Sequence, residues 1–156
     1  MDIKALITKH EGVRYKMYKD SLGIPTIGVG FNLTRPDAKD IITNIIKKDY
    51  NLVLQGKLAL TPMEVDILLQ KDLDECEKGL RKIFSDYDKL PEKAKAVLMD
   101  LRFNLGQKGL LGFPHTLEDF KKGEYKSAAQ RLAQSKWATQ VGIRAKENIQ
   151  LLNEIN

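Results

Sequence analysis

The 156-residue chain has one cysteine, one tryptophan and two histidines. No stretch of it approaches the ~20 apolar residues of a membrane span. Cys76 has no partner for an intrachain disulfide; its place in an apolar helical pattern makes it a small buried hydrophobe and suits synthesis in a reducing compartment. His10 closes an N-terminal helical pattern and His115 follows Pro114 in a loop. Neither has the Ser or Cys setting of a nucleophilic triad, and no metal-ligand spacing is present, which sets aside amidase and metallopeptidase chemistry. The N-terminus MDIKALITKHEG carries Asp2 and Lys4 without an apolar core and is not a secretory signal. The 26 Lys+Arg outnumber the 21 Asp+Glu, a net charge of +5 that favours encounter with polyanions such as nucleic acid, acidic lipid or cell-wall polymer. With no RNA-binding signature, zinc-finger spacing or long basic block, most of that charge is a solvated surface, and nucleic acid is not the expected partner.

The 42% hydrophobic content suffices for a core, and there is no internal repeat. After a possible Asp2 cap, Ile3, Leu6, Ile7 and His10 have helical spacing, with Gly12 as the stop. Glu11 is then the last residue of a short helix, at the negative end of its dipole. Val13, Tyr15 and Met17 alternate on one side of a strand that ends in the turn Asp20-Ser21-Leu22-Gly23. The returning strand IPTIGVG places Thr26, Gly28 and Gly30 on one face and Ile27 and Val29 on the other. Bare positions of that kind mark either close approach of another group or a sharply twisted hairpin or bulge.

Thr34-Arg35-Pro36-Asp37 resembles a helix start, followed by a core stripe of Ala38, Ile41, Ile42, Ile45 and Ile46. A polar connection containing Gly56 leads to Thr61-Pro62-Met63-Glu64, which has the form of a capping box. The long helix that it opens carries Val65, Leu68, Leu69, Leu73, Cys76, Leu80 and Ile83 on one side. Further helices are expected from Pro91 to Leu105 with a stop at Gly106, after Gly112, from Tyr125 to Ala133, and from about Gly142 to Leu152. The fold class is α+β and mainly helical: a small N-terminal lobe with a β-hairpin sheet, over about 12–60, is joined by a helix of about 61–81 to an all-helical lobe of 81–156.

Hydrolysis of an acetal needs a proton donor for the leaving oxygen and a second carboxylate that activates water or attacks the sugar. Glu11 and Asp20, flanking a strand and followed by Thr26, can fill those roles. The pattern from Glu11 to Gly30, E-G-x-R-x-x-x-Y-K-D-x-x-G-x-x-T-I-G-x-G, resembles the signature of the T-even bacteriophage lysozymes, endolysins or muramidases of the phage-type lysozyme family. The resemblance continues through Phe103-Asn104-Leu105-Gly106, Gly112-Phe113, Ser135-Lys136-Trp137, Gln140 and Arg144-Ala145-Lys146, so it covers most of the chain.

The resemblance implies a single lysozyme-like domain, with the first helix packing on the C-terminal lobe. It also implies cleavage of the β-1,4 bond between N-acetylmuramic acid and N-acetylglucosamine in peptidoglycan, with inversion and without metal or organic cofactor. Glu11 would be the general acid, Asp20 would activate water or steady charge on the ring, and Thr26 would position the water. Inversion calls for carboxyl groups roughly 6.5–9.5 Å apart, direct attack for roughly 5–5.5 Å. Arg144 matches an arginine near the catalytic glutamate; Phe103 and Thr116 match residues of the saccharide cleft. Asn32 and Arg131 occupy further cleft positions where the family side chains usually differ. Trp137, in an apolar helical segment, is expected in the core.

The partner implied is the peptidoglycan glycan strand, met by a monomer without stable membrane association. A separate membrane-permeabilising protein would release the enzyme from the host cytoplasm to the wall. The rival reading is a lysozyme-like module that binds peptidoglycan or a protein without cleaving; the presence of Glu11, Asp20 and Thr26 together argues against it. The chain departs from the family where T-I-G-x-G-H ends here in Phe31, which is expected to deprive Asp72 of its histidine partner.

Overall fold

A computed structural model describes all of residues 1–156, which fall into two compact units, one of Ile7–Asp72 and one of Met1–Leu6 with Leu73–Asn156. The chain is mainly helical with one small antiparallel sheet, an α+β lysozyme-like architecture. Helix α1 (Ile3–Glu11) starts as expected, with Asp2 Oδ1 accepting the Ala5 N–H at 3.0 Å.

In the first unit, β1 (Arg14–Lys19), β2 (Pro25–Gly28) and β3 (Phe31–Asn32) pair in the order β1-β2-β3. The short third strand goes beyond the hairpin read from the sequence. Ile27 stands opposite Phe31 on the face turned to the core, where Ile27, Val29, Phe31 and Leu33 are buried. Tyr18 stands opposite Thr26, and Thr26 opposite Asn32, so these three share the other face.

One expectation about this unit needs correction. Ile45 is 43% exposed although Ile41, Ile42 and Ile46 are buried. After the brief helix α2 (Ala38–Asp40), residues Ile41–Ile46 wind as a π-helix. Its wider turn brings i+5 back to the buried side, so the 3.6-residue stripe does not apply. Lys47, in the left-handed region at φ 63°, ends the segment. The connection beyond it is also not wholly irregular, because α3 (Tyr50–Leu54) forms there with Asp49 capping the Leu52 N–H at 3.0 Å.

Asp72 has no histidine beside it, as expected from Phe31, but it takes its cation from Arg35 instead. Arg35 Nη1 donates to Asp72 Oδ1 at 2.8 Å, while its Nε and Nη2 donate to Asp37 at 2.6 and 2.9 Å. The same guanidinium lies 4.4 Å from the centre of the Phe31 ring. Phenylalanine therefore keeps a role at its position, as the face on which a different cation rests. The hydrogen bonds from Arg35 hold the Asp37 carboxyl below its ordinary range. For Asp72, burial outweighs the same arginine and pushes the carboxyl up.

Helix α4 (Pro62–Ile83) opens with a reciprocal capping box: Glu64 N–H donates to Thr61 Oγ1 at 3.2 Å, and Thr61 N–H to Glu64 Oε1 at 2.8 Å. The boundary between the units falls inside this helix, at Asp72–Leu73. The second unit adds α5 (Glu92–Leu111), α6 (Pro114–Lys122), α7 (Tyr125–Ala133), α8 (Lys136–Val141) and α9 (Ile143–Asn153). Helix α5 is broken at Gly106, whose φ of 74° and ψ of 172° are open to glycine alone at little cost. The short α8 holds Trp137, as its helical segment suggested, and Ser135 Oγ caps it by accepting the Ala138 N–H at 3.2 Å. Trp137 is a core aromatic, as expected, with its indole N–H donated to Asn104 Oδ1 at 2.7 Å.

Because Arg35 is the cation for two carboxylates, one of them largely buried, Arg35→Ala is expected to lower unfolding free energy by roughly 3 kcal/mol. Urea titration of the single variant and of Arg35→Ala in an Asp72→Asn background checks this; coupling through the Asp72 pair makes the loss smaller in the second case.

Candidate active site

The turn after β1 is built around the carboxylate of Asp20. Its Oδ1 accepts the N–H groups of Leu22 at 2.8 Å and Ile24 at 2.9 Å. Two backbone bonds close the same loop, from Asp20 N–H to the Ile24 carbonyl at 3.0 Å and from Gly23 N–H to the Asp20 carbonyl at 2.9 Å. Gly23 supplies the positive φ of 79°. An aspartate is well suited here because its short side chain reaches its own neighbouring amides. With Oδ1 occupied in this way, Oδ2 is the oxygen that can meet an incoming molecule.

Ile24 links this carboxylate to Thr26. The carbonyl that receives the Asp20 N–H also accepts the Thr26 hydroxyl at 2.8 Å. Thr26 is 4% exposed, and its only proton is spent on that bond, so toward a water its Oγ1 acts as an acceptor. On the adjoining strand, Asn32 Oδ1 accepts both the N–H of Thr34 at 2.7 Å and its hydroxyl at 2.6 Å. The Asn32 Oδ1 is thus occupied within the loop, which leaves its Nδ2 donors for another partner.

Glu11 ends α1, where Gly12 at φ 78° redirects the chain into β1. A side chain at Gly30 would place Cβ 2.7 Å from Glu11 Oε1, and Gly30 itself has φ 67°. Of the two meanings open for the glycines of this strand, close approach and a special backbone both hold at Gly30. Gly28 also has a positive φ, of 66°, and a Cβ there would meet Val65 at 3.4 Å.

Tyr18 was missed as a site residue, although its two-residue spacing from Asp20 in an extended segment was a usable signal. It lies across from Thr26, with the Arg14 guanidinium 4.9 Å from its ring centre. Burial chiefly, and then the charge of Glu11, push the Tyr18 phenol up; Arg14 opposes this and Asp20 adds to it. The phenol is therefore a neutral donor in the field of both carboxylates.

The remaining residues singled out in the sequence lie in the second unit. Phe103 is half-buried on α5, one turn before the break at Gly106. Thr116 and Arg131 are brought together in a surface pocket of about 270 Å³ that Phe113, His115 and Gln134 also line. Arg131 is anchored by its Nε to Asp119 Oδ2 at 2.8 Å, an oxygen that also accepts the Ser127 hydroxyl at 2.9 Å. Arg144 is nearly buried and meets Asp100 in a fork, Nε to Oδ2 at 3.0 Å and Nη2 to Oδ1 at 2.8 Å. Asp100 and Asp119 also escaped the sequence reading; the acid inside the apolar stretch AVLMDL is the kind of interruption that signals a buried partner, whereas Asp119, beside Glu118 in TLEDF, carries no such signal. No His, Cys, Asp and Glu side chains group in a way that could hold a metal ion.

Gly30→Ala is expected to cost about 1–2 kcal/mol for the left-handed backbone alone, and to push the Glu11 carboxylate from its place. Thermal unfolding reads the first effect, and a crystal structure of the variant the second.

The phage lysozyme family model matches residues 8–152 of this chain. Among curated relatives, Probable T4-type lysozyme 1 of Dictyostelium discoideum is 26% identical over 96% of this chain and 92% of its own length. Pre-baseplate central spike protein Gp5 of Enterobacteria phage T4 is 24% identical over 93% of the chain, which spans only 26% of that protein. Peptidoglycan hydrolase gp36 of Enterobacteria phage SP6 is 30% identical over 71% of the chain and 11% of its own length. A match over nearly the whole sequence, on a chain that presents Glu11, Asp20 and Thr26 as described, makes this protein a glycoside hydrolase of the phage lysozyme family.

Proposed function

We propose that the protein hydrolyses the β-1,4 bond between N-acetylmuramic acid and N-acetylglucosamine in peptidoglycan, with Glu11 as general acid and Asp20 as general base. The observation that carries this reading is the main chain of Ile24, whose N–H binds the Asp20 carboxylate and whose carbonyl binds the Thr26 hydroxyl. A water donating one proton to Asp20 Oδ2 and the other to Thr26 Oγ1 has its lone pair left for the anomeric carbon. Glu11 protonates the departing glycosidic oxygen, and the product sugar carries the inverted configuration.

In this reading Asn32 Nδ2, Phe103, Thr116 and Arg131 hold the glycan, and Arg144 positions the acid. The resemblance to T4-type lysozymes and to a protein named peptidoglycan hydrolase supports the choice of substrate. The net charge of +5 favours approach to an anionic wall. The biological role proposed is lysis by a monomeric phage or prophage endolysin, which reaches the wall from the host cytoplasm once a separate protein has permeabilised the membrane. No helix is long and apolar enough to cross a membrane itself.

The test is the release of new reducing ends from purified peptidoglycan. Glu11→Gln is expected to lower turnover by about 10²–10⁴-fold with unfolding temperature retained, because an amide cannot supply the proton. Asp20→Asn should lose most activity as well, since the amide retains an oxygen for the turn but cannot take a proton from water. Binding to the wall without reducing ends from the wild type would instead identify a non-catalytic module.

A further inference from the structure

Asn148 is fully buried on α9, one helical turn after Arg144. Its Nδ2 donates to Asp100 Oδ2 at 2.7 Å, but its Oδ1 has no hydrogen-bond partner in the protein. A buried acceptor left in this state is costly, and an apolar side chain of similar size would avoid the cost. Packing alone therefore gives no reason for an asparagine at this position. Its one directed contact falls on the carboxylate that grips Arg144.

Asp100, itself fully buried, uses both oxygens on Arg144, and its main-chain carbonyl accepts a longer contact from Nη2 at 3.4 Å. A forked pair of this kind fixes the plane of a guanidinium as well as its place. It also turns the Nη1 edge away from Asp100. Free rotation of the carboxylate about its terminal bond would undo that alignment, and the Asn148 amide bears on the oxygen shared with Nε.

We propose that Asp100 and Asn148 are positioning residues for glycan cleavage, which together set the orientation of the Arg144 guanidinium. This rests on the hydrolase reading above and on the positioning role proposed there for Arg144. Neither residue touches substrate; both act through the arginine. An orphaned acceptor is then retained because the asparagine carries a directional donor that leucine lacks.

The experiment measures kcat, KM and unfolding temperature for the wild type, Arg144→Ala, Asn148→Leu and Asp100→Asn, with reducing-end release from peptidoglycan as the assay. Asn148→Leu is expected to unfold at the same or a higher temperature while kcat falls about 10–100-fold and KM changes little, the size of effect expected from misplacing a catalytic group. A purely structural asparagine would leave kcat unmoved, and wild-type kcat in Asn148→Leu overturns the proposal. So does wild-type kcat in Arg144→Ala, because there would be no aligned arginine to protect. Asp100→Asn keeps the shape but breaks the buried charge pair, which is strongly destabilising when one partner is lost. It should lower kcat at least as far as Asn148→Leu at a temperature where it is folded, and full activity in that folded variant counts against the proposal. A wild type that releases no reducing ends refutes the hydrolase reading instead, and the proposal with it.

Discussion

One residue, Ile24, holds the proposed chemistry in register through its main-chain N–H and carbonyl. Its N–H binds Asp20 Oδ1, and its carbonyl accepts from both the Asp20 N–H and the Thr26 hydroxyl. A base and a water-positioning acceptor must be set to within a fraction of an ångström, which flexible side chains on a loop do not achieve alone. Here both short side chains are tied to the main chain of the same residue, in a turn closed by backbone hydrogen bonds. The sheet supplies the rest, because the pairing of Thr26 with Tyr18 and Asn32 lines up three polar tips on one face. Gly30 then allows the Glu11 carboxylate to lie against the backbone of the turn beyond β2.

The support around these residues departs from the family pattern at one position. Phe31 stands where the family pattern has histidine, and the cation that Asp72 needs comes instead from Arg35, farther along the chain. Arg35 compensates Asp37 as well and rests on the Phe31 ring. A loss of one charged partner is thus offset by an arginine with enough donors for two carboxylates. In the second unit a comparable economy joins Asp119 to Ser127 and Arg131, and Asp100 to Arg144 and Asn148.

Local signals were the part of this fold that could be read from sequence. Asp2 and the Thr61–Glu64 box cap their helices as the residues indicate, and Tyr125–Ala133 is a helix within its expected bounds. The turn at Asp20 and the bare strand face were also visible, since each depends on residues close in sequence. What escaped was of two kinds. The π-helix at Ile41–Ile46 changes the period on which an apolar stripe is counted, so Ile45 was assigned to the core although it is exposed. Contacts between distant residues, such as Asp100 with Arg144 and Asn148, or Arg35 with Asp72, depend on tertiary packing that no local pattern encodes. The acid inside the apolar run AVLMDL is a signal that a partner exists, but it does not name that partner.

The central claim is that water, held by Asp20 and Thr26, attacks the sugar directly. The most direct measurement is proton NMR of the anomeric configuration of the newly formed reducing end, taken before mutarotation scrambles it. Inversion of a β-1,4 bond predicts the α-anomer as the first product. A first product in the β configuration would contradict the account, because retention needs two successive displacements at the anomeric carbon and not a single direct attack by water.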